Sequence, residues 1–177
     1  MLPQNMNDPH HVTVGFVGRP GARSFYFQAQ QDDETVTLHL EKGQVAGIAE
    51  LLTQLLARID DTPATDWDRA AMALREPIEP SGRVGEISVG LDPDAERFLI
   101  ELHDVPSADA DDDEDDDATP APSLRVLMLR DQARRLAAHA AEQVAQGRPA
   151  CQLCSRPLEA DGSHVCPATN GHGELTR

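Results

Sequence analysis

Aromatic residues make up only 3% of the 177 residues, with one Trp, one Tyr and four Phe. Few rings are therefore present for stacking bases or sugars, and the interior must be built mainly from Leu, Val, Ile and Ala. Cysteine is equally sparse at three, an odd number that argues against a disulfide framework and for a reducing compartment. No run approaches the roughly 18 consecutive apolar residues of a membrane span. The opening MLPQNMNDPHHVTV has neither a basic segment nor the apolar stretch that follows one in a secretory leader. These absences lead to the expectation of a cytoplasmic protein without membrane contact. Enzyme signatures are missing too: no Ser or Cys sits in a nucleophile elbow and no carboxylate pair has a defined spacing, so catalysis has no named nucleophile or base.

What is abundant is acid. The formal charge is −16, and its distribution matters more than its sum. Residues 123–177 carry seven Arg against five acids, whereas residues 1–122 carry 8 basic against 26 acidic side chains. Eight of those acids are Asp109 and the run Asp111 to Asp117. A tract of that kind has nothing to bury and predicts a disordered loop. Even without it the first part stays acidic, which disfavours phosphate-driven binding to nucleic acid.

Alternation of apolar and polar residues predicts strands at Val12-Val14-Phe16, Phe25-Phe27-Ala29 and Val36-Leu38-Leu40, in an antiparallel meander. Gly18-Arg19-Pro20-Gly21 and Gln31-Asp32-Asp33-Glu34 supply the turns. The period then lengthens to about 3.6, and Val45, Ile48, Ala49, Leu52, Leu55, Leu56 and Ile59 mark one face of a helix. Asp60 to Pro63 stop it. The same order returns with Ile87-Val89-Leu91, Phe98-Ile100-Leu102 and Leu124-Val126-Met128, then a helix on Ala133, Leu136, Ala137, Ala140 and Val144 with Gly147 placed to cap it. A shift of 88 residues lays Leu38 on Val126, Gln44 on Gln132, Ile48 on Leu136 and Leu52 on Ala140.

The expected fold is therefore α+β, a duplicated βββα unit. The first repeat is 10–60, the connector 61–82, and the second repeat 83–147 with its disordered loop at 105–121, giving a body of 1–147. The connector shows a short helical pattern around Trp67, Ala70, Met72 and Leu74, and its Trp is expected to pack it down.

All three cysteines lie in the remaining segment, 148–177, which predicts a zinc-ribbon-like tail. Cys151 and Cys154 form Cys-x2-Cys, and His164 and Cys166 form His-x-Cys. Thiolates two residues apart in a tight turn can both face one ion, with turn amides donating to the sulfurs. The strain in this reading is the single residue between His164 and Cys166, because alternate side chains of a regular strand sit about 7 Å apart. A turn at Pro167 would bring them together, and His172 is the reserve fourth ligand. Four protein ligands leave no vacancy for substrate, so the expected role is structural zinc. A redox dithiol at Cys151 and Cys154 is the alternative.

Other features are weaker. The turn Gly18 to Arg23 is basic and glycine-rich but precedes a strand, so it lacks the helix N-terminus of a phosphate loop. His10, His11, His39 and His103 are scattered, the last two on the strand face away from the apolar stripe.

The Gly-x-Pro-Gly-x-Arg turn leading to Phe25-Tyr26-Phe27-Gln28-Ala29, the helix opening Leu40-Glu41-Lys42, Gly147-Arg148-Pro149 before Cys151, and the closing His164-Val165-Cys166-Pro167 with Asn170-Gly171 resemble an actinobacterial family, domain of unknown function 3090. The resemblance covers nearly the whole chain and implies a repeat-containing protein without an assigned activity. Ser155, Ala168 and His172 depart from the family pattern, where Gly, Arg and an aromatic residue stand. The functional expectation is a non-enzymatic, zinc-stabilised binding or adaptor protein with an unidentified protein partner. Two other readings are an enzyme or enzyme subunit acting on a phosphorylated small molecule through Arg19, Arg23 and Arg148, and a nucleic-acid-binding regulator using the tail.

Overall fold

A computed structural model of the chain describes residues 4–92, 97–105, 123–146, 151–154, 158 and 164–167. The acidic tract, Gly147, Arg148 and His172 lie outside the described residues. The elements run β1 Gln4–Met6, β2 His11–Val17, β3 Ser24–Gln31, β4 Glu34–Leu40, α1 Lys42–Arg58, β5 Gly82–Asp92, β6 Arg97–Asp104, β7 Leu124–Met128 and α2 Arg130–Ala145. The fold is α+β. Among the described residues no helix is long and apolar enough to cross a membrane.

The six expected strands and one further strand form a mixed sheet, ordered β1-β7-β6-β5-β4-β3-β2. Each alternating segment pairs in register with the next: Val14 stands opposite Phe27, Phe27 opposite Leu38, Val89 opposite Ile100 and Ile100 opposite Val126. The two meanders join side by side through a short parallel pairing of Leu38 with Gly82 and His39 with Arg83. The turn between β2 and β3 places Gly18 and Gly21 at positive φ, 105° and 90°, conformations that side chains with a Cβ rarely adopt.

β1 was not foreseen. It pairs in parallel with β7 through Gln4–Leu124, Asn5–Arg125 and Met6–Val126. Three residues with one buried apolar side chain are too few to show alternation. Its position fixes the shape of the sheet, because β1 and β2 stand at opposite ends of the strand order. A flat sheet of this width would separate them by roughly 29 Å, at about 4.8 Å per strand. The link from Met6 to His11 spans about 18 Å at most, at about 3.3–3.6 Å per residue. The sheet must therefore curl until its ends approach, and the Gln4 amide donates to the Glu34 carboxylate at 2.6 Å across that approach.

One core fills the curl. The apolar stripes of both meanders meet Val45, Ile48, Leu52 and Leu56 of α1 and Ala133, Leu136, Ala137 and Ala140 of α2 in a single buried cluster. The small alanine face of α2 lets the two helices lie against each other, with α2 over β2 and α1 over β5. Each helix thus covers the meander it does not follow.

A matched pair of glutamines sets both helix starts. The Gln44 carbonyl oxygen accepts from the Glu41 backbone N–H at 2.7 Å, and its amide donates to the Val84 and Gly85 carbonyls at 2.9 and 3.1 Å. Val84 to Glu86 is where the register of β5 shifts. Gln132 repeats the arrangement, accepting from Leu129 N–H at 2.8 Å and donating to the Pro9 carbonyl at 2.6 Å, in the bend before β2.

The connector corrects one expectation. The segment 60–81 has turns and no helix. The Asp68 carboxylate accepts from Ala70 and Ala71 N–H, and Met72 N–H and Ala73 N–H bond three residues back, so the turn tightens and does not propagate. Beyond it the chain crosses the polar face of β2 to β4. Fully buried Gln28 gives both amide ends to the Arg75 backbone, at 2.9 and 2.8 Å. Gly15 makes room for Leu74, whose Cγ would lie 2.8 Å from an added Cβ. Trp67 packs against the core as expected, its indole N–H donating to His139 Nδ1 at 3.4 Å. The connector thereby covers the polar face of β2, where the Thr13 hydroxyl donates to the Met72 carbonyl.

Replacing Gln132 by Ala should remove the link between α2 and the Pro9 bend. The expected loss is about 1–3 kcal/mol in urea denaturation, the cost of leaving a buried carbonyl unsatisfied. No measurable loss would mean that the helix start does not depend on this side chain.

Candidate metal centre

The tail residues converge as their spacing predicted. Ligand atoms of Cys151, Cys154, His164 and Cys166 all lie within 4.8 Å of one another. Cys151 Sγ is 3.8 Å from Cys166 Sγ, and Cys154 Sγ is 3.7 Å from His164 Nε2. A sulfur pair at that separation is far outside disulfide length, about 2.05 Å. The residue between His164 and Cys166 is no obstacle, since both donors reach the same point and the chain enters a 3-10 turn at Pro167. His172, the reserve ligand, lies outside the described residues.

Local structure explains the convergence. Residues 152–154 form a tight turn, and the backbone N–H of Leu153 is the main influence drawing the Cys151 thiol down to about 6 from the ordinary 9.0. Burial opposes that shift, while the Cys154 backbone, the His164 side chain and the Cys154 side chain add to it. Turn amides pointing at sulfur are what a Cys-x2-Cys ligand pair requires. Cys151 and Cys166 are buried and form a small cluster with Leu158, separate from the main core. A cluster of this size has too little apolar surface to order a chain segment alone. The donor chemistry fits a metal: three thiols and one imidazole, closely grouped, with no acid among them. The group could hold a metal ion.

Residues 4–166 match the family described as "Protein of unknown function (DUF3090)". The chain belongs to the DUF3090 family. No curated protein and no solved structure matches it. The matched span reaches Cys166, so all four converging residues fall within the DUF3090 region.

The arginines singled out from the sequence do not assemble. Arg19 is exposed in the β2–β3 turn, Arg23 donates to the Gln146 carbonyl and lies over the Phe16 ring at 3.9 Å, and Arg148 is outside the described residues. His39 is half-buried with its ring edge-on to Tyr26, and His103 is half-buried on β6.

Sequence patterns missed two other histidines. His11 on β2 is 4% exposed and His139 on α2 also 4%. Burial, helped by the charge of Arg75, pushes His11 down to about 4. Burial also lowers His139, against the opposing influences of the Glu142 carboxylate and the Val14 backbone. A buried imidazole on an alternating strand has no sequence signal of its own, because His10-His11 looks like any polar start of a strand.

Both imidazoles are neutral in the fold and gain protons more readily in the unfolded chain, near 6.5. Their contribution to stability is intact above about pH 6.5 and falls as the pH drops below it, for His11 until about 4. Urea midpoints should therefore decrease between pH 7 and pH 5, and His11→Asn should flatten that decrease. An unchanged slope in the variant would show that His11 is not held neutral. For the metal group, Cys166→Ser should abolish metal retention through gel filtration while leaving the far-ultraviolet circular dichroism within about 10% of wild type, because the helices belong to the separate core.

Proposed function

We infer that this DUF3090 protein is a non-enzymatic, cytoplasmic binding or adaptor protein whose tail is pinned by structural zinc. The observation that carries the reading is the closed set of four donors. A tetrahedral zinc with Zn–S bonds of about 2.3 Å and a Zn–N bond of about 2.0–2.1 Å has edges near 3.8 Å between sulfurs and near 3.6 Å between sulfur and nitrogen. The two separations of 3.8 and 3.7 Å match those edges. Bound zinc would replace the missing core of the tail by tying its two loops, Cys151 to Cys154 and His164 to Cys166, to one point. With all four positions taken by protein, no water or substrate is activated, which supports a structural role.

Two further features support an adaptor. Leu153 and Val165, one on each ligand loop, are 61% and 73% exposed. Apolar side chains held outward on a rigid loop pair suit contact with a protein partner. The body supports the same reading as a duplicated βββα unit in which each half completes the other. In support, Gln44 and Gln132 cap corresponding helices and bond to corresponding bends, and the parallel pairs β4–β5 and β7–β1 occupy corresponding places.

Metal analysis of untagged protein, purified without added zinc, should find about one zinc per chain. Cys154→Ser should lower it severalfold. Well below one zinc in the wild type, or another metal in its place, would remove the basis of the reading. Leu153→Asp combined with Val165→Asp should keep the zinc and lose the partner.

A further inference from the structure

Where the connector passes between α2 and the start of β2 it leaves a cleft of about 500 Å³. This lies apart from the cysteine group and contains none of the arginines that the sequence pattern singled out. Its apolar wall is Val12, Met72 and Trp67, and its polar side is His11, Gln132 and the three arginines 75, 134 and 135.

Several features of the cleft select an oxyanion. The first turn of α2 opens into it through Asp131 and Gln132. Leu129, at the N-cap, has no side-chain acceptor for the first-turn N–H groups, and the Gln132 oxygen is committed to the Leu129 backbone. That leaves a helix N-terminus without a side-chain anion to meet it from the cap. His11 lines the cleft while 4% exposed, its neutral ring held against the Ala73 backbone, so it adds a wall beside the arginines and no charge.

The arginines are held in place without being used up. Arg134 donates through Nε to the Thr62 carbonyl, 2.9 Å, and faces Asp61 at 3.3 Å. Arg75 donates to the Gln30 side chain. Arg135 pairs with Asp131 on its own helix, an exposed i,i+4 contact that a ligand can displace cheaply. Two more acids, Asp66 and Asp68, lie at the cleft. Asp68 already accepts from two backbone N–H groups, and Asp66 is exposed. These acids repel a highly charged ligand, so the fit is to a compact molecule with one oxyanion group.

We propose that this cleft is a binding site for a small organic anion, whose phosphate or carboxylate meets Arg75, Arg134 and the start of α2 while its flat or apolar part lies against Trp67 and Met72. The site needs no metal and no catalytic step, and it is independent of the cysteine group.

Trp67 is the one tryptophan of the chain, so its fluorescence reports on the cleft directly. The full-length protein would be titrated at constant ionic strength with inorganic phosphate, benzoate, adenosine monophosphate and adenosine. A saturable change with at least one of the three anions and none with adenosine is expected. Phosphate or adenosine monophosphate alone would identify a phosphate ligand, benzoate alone a carboxylate. Arg75→Gln, at an exposed position, should raise the dissociation constant about tenfold, the loss of one charge-assisted contact. Arg134→Lys, which keeps the charge near Asp61, should weaken binding with the melting temperature within a few degrees of wild type. Absence of a saturable response to all three anions, an equal response to adenosine, or binding unaffected in both variants would overturn the proposal.

Discussion

The structure depends on two backbone bends, each held by one glutamine amide. Gln44 joins the start of α1 to the bend at Val84 and Gly85, and Gln132 joins the start of α2 to the bend at Pro9. Each bond crosses from the helix of one meander to the bend at or before the first strand of the other. The helices are thereby drawn over the opposite meander, α1 onto β5 and α2 mainly onto β2 with a smaller contact to β6. Because the strand before Pro9 pairs with β7 at the far edge, the same constraint forces the sheet to curl. A single core, in place of two, is the consequence.

Sequence periodicity was enough to find six of the strands and both helices, because each has a continuous apolar face at period two or 3.6. It failed where the determinants were tertiary. The three-residue β1 exists because β7 offers an edge and the curl brings the chain back to it. The connector loses its helical pattern because Gln28, Thr13 and Gly15 offer the chain better partners on the back of the sheet than a short helix would supply. The swap of helices between meanders is invisible to periodicity, which says which face is apolar and not what it meets. The four tail residues were legible because ligand chemistry needs particular residue types at close spacing. The cleft was not, since His11, Arg75 and Arg134 come from three distant segments and only the wrap of the connector unites them.

The two candidate sites divide the molecule by charge and by mode of order. The body is ordered by apolar burial and leaves a polar cleft where its connector crosses from helix to strand. Among the described residues of the tail, Leu158 and two cysteines make one small cluster apart from the main core. On the proposed reading a metal orders this segment, since the Cys151 and Cys166 sulfurs stand 3.8 Å apart, well beyond disulfide length. Leu153 and Val165 stand outward on the two loops, and in the proposed function a pinned loop pair would present them to a protein partner. A small anion bound under the connector and a protein bound at the tail would then use separate surfaces of one chain.

The central claim is that Cys151, Cys154, His164 and Cys166 together enclose one zinc ion. X-ray absorption at the zinc edge on protein as purified tests it most directly. The account predicts a first shell of three sulfurs at about 2.3 Å and one nitrogen at about 2.0–2.1 Å, without an oxygen position. A shell dominated by oxygen or nitrogen, or one with fewer than three sulfurs, would contradict it.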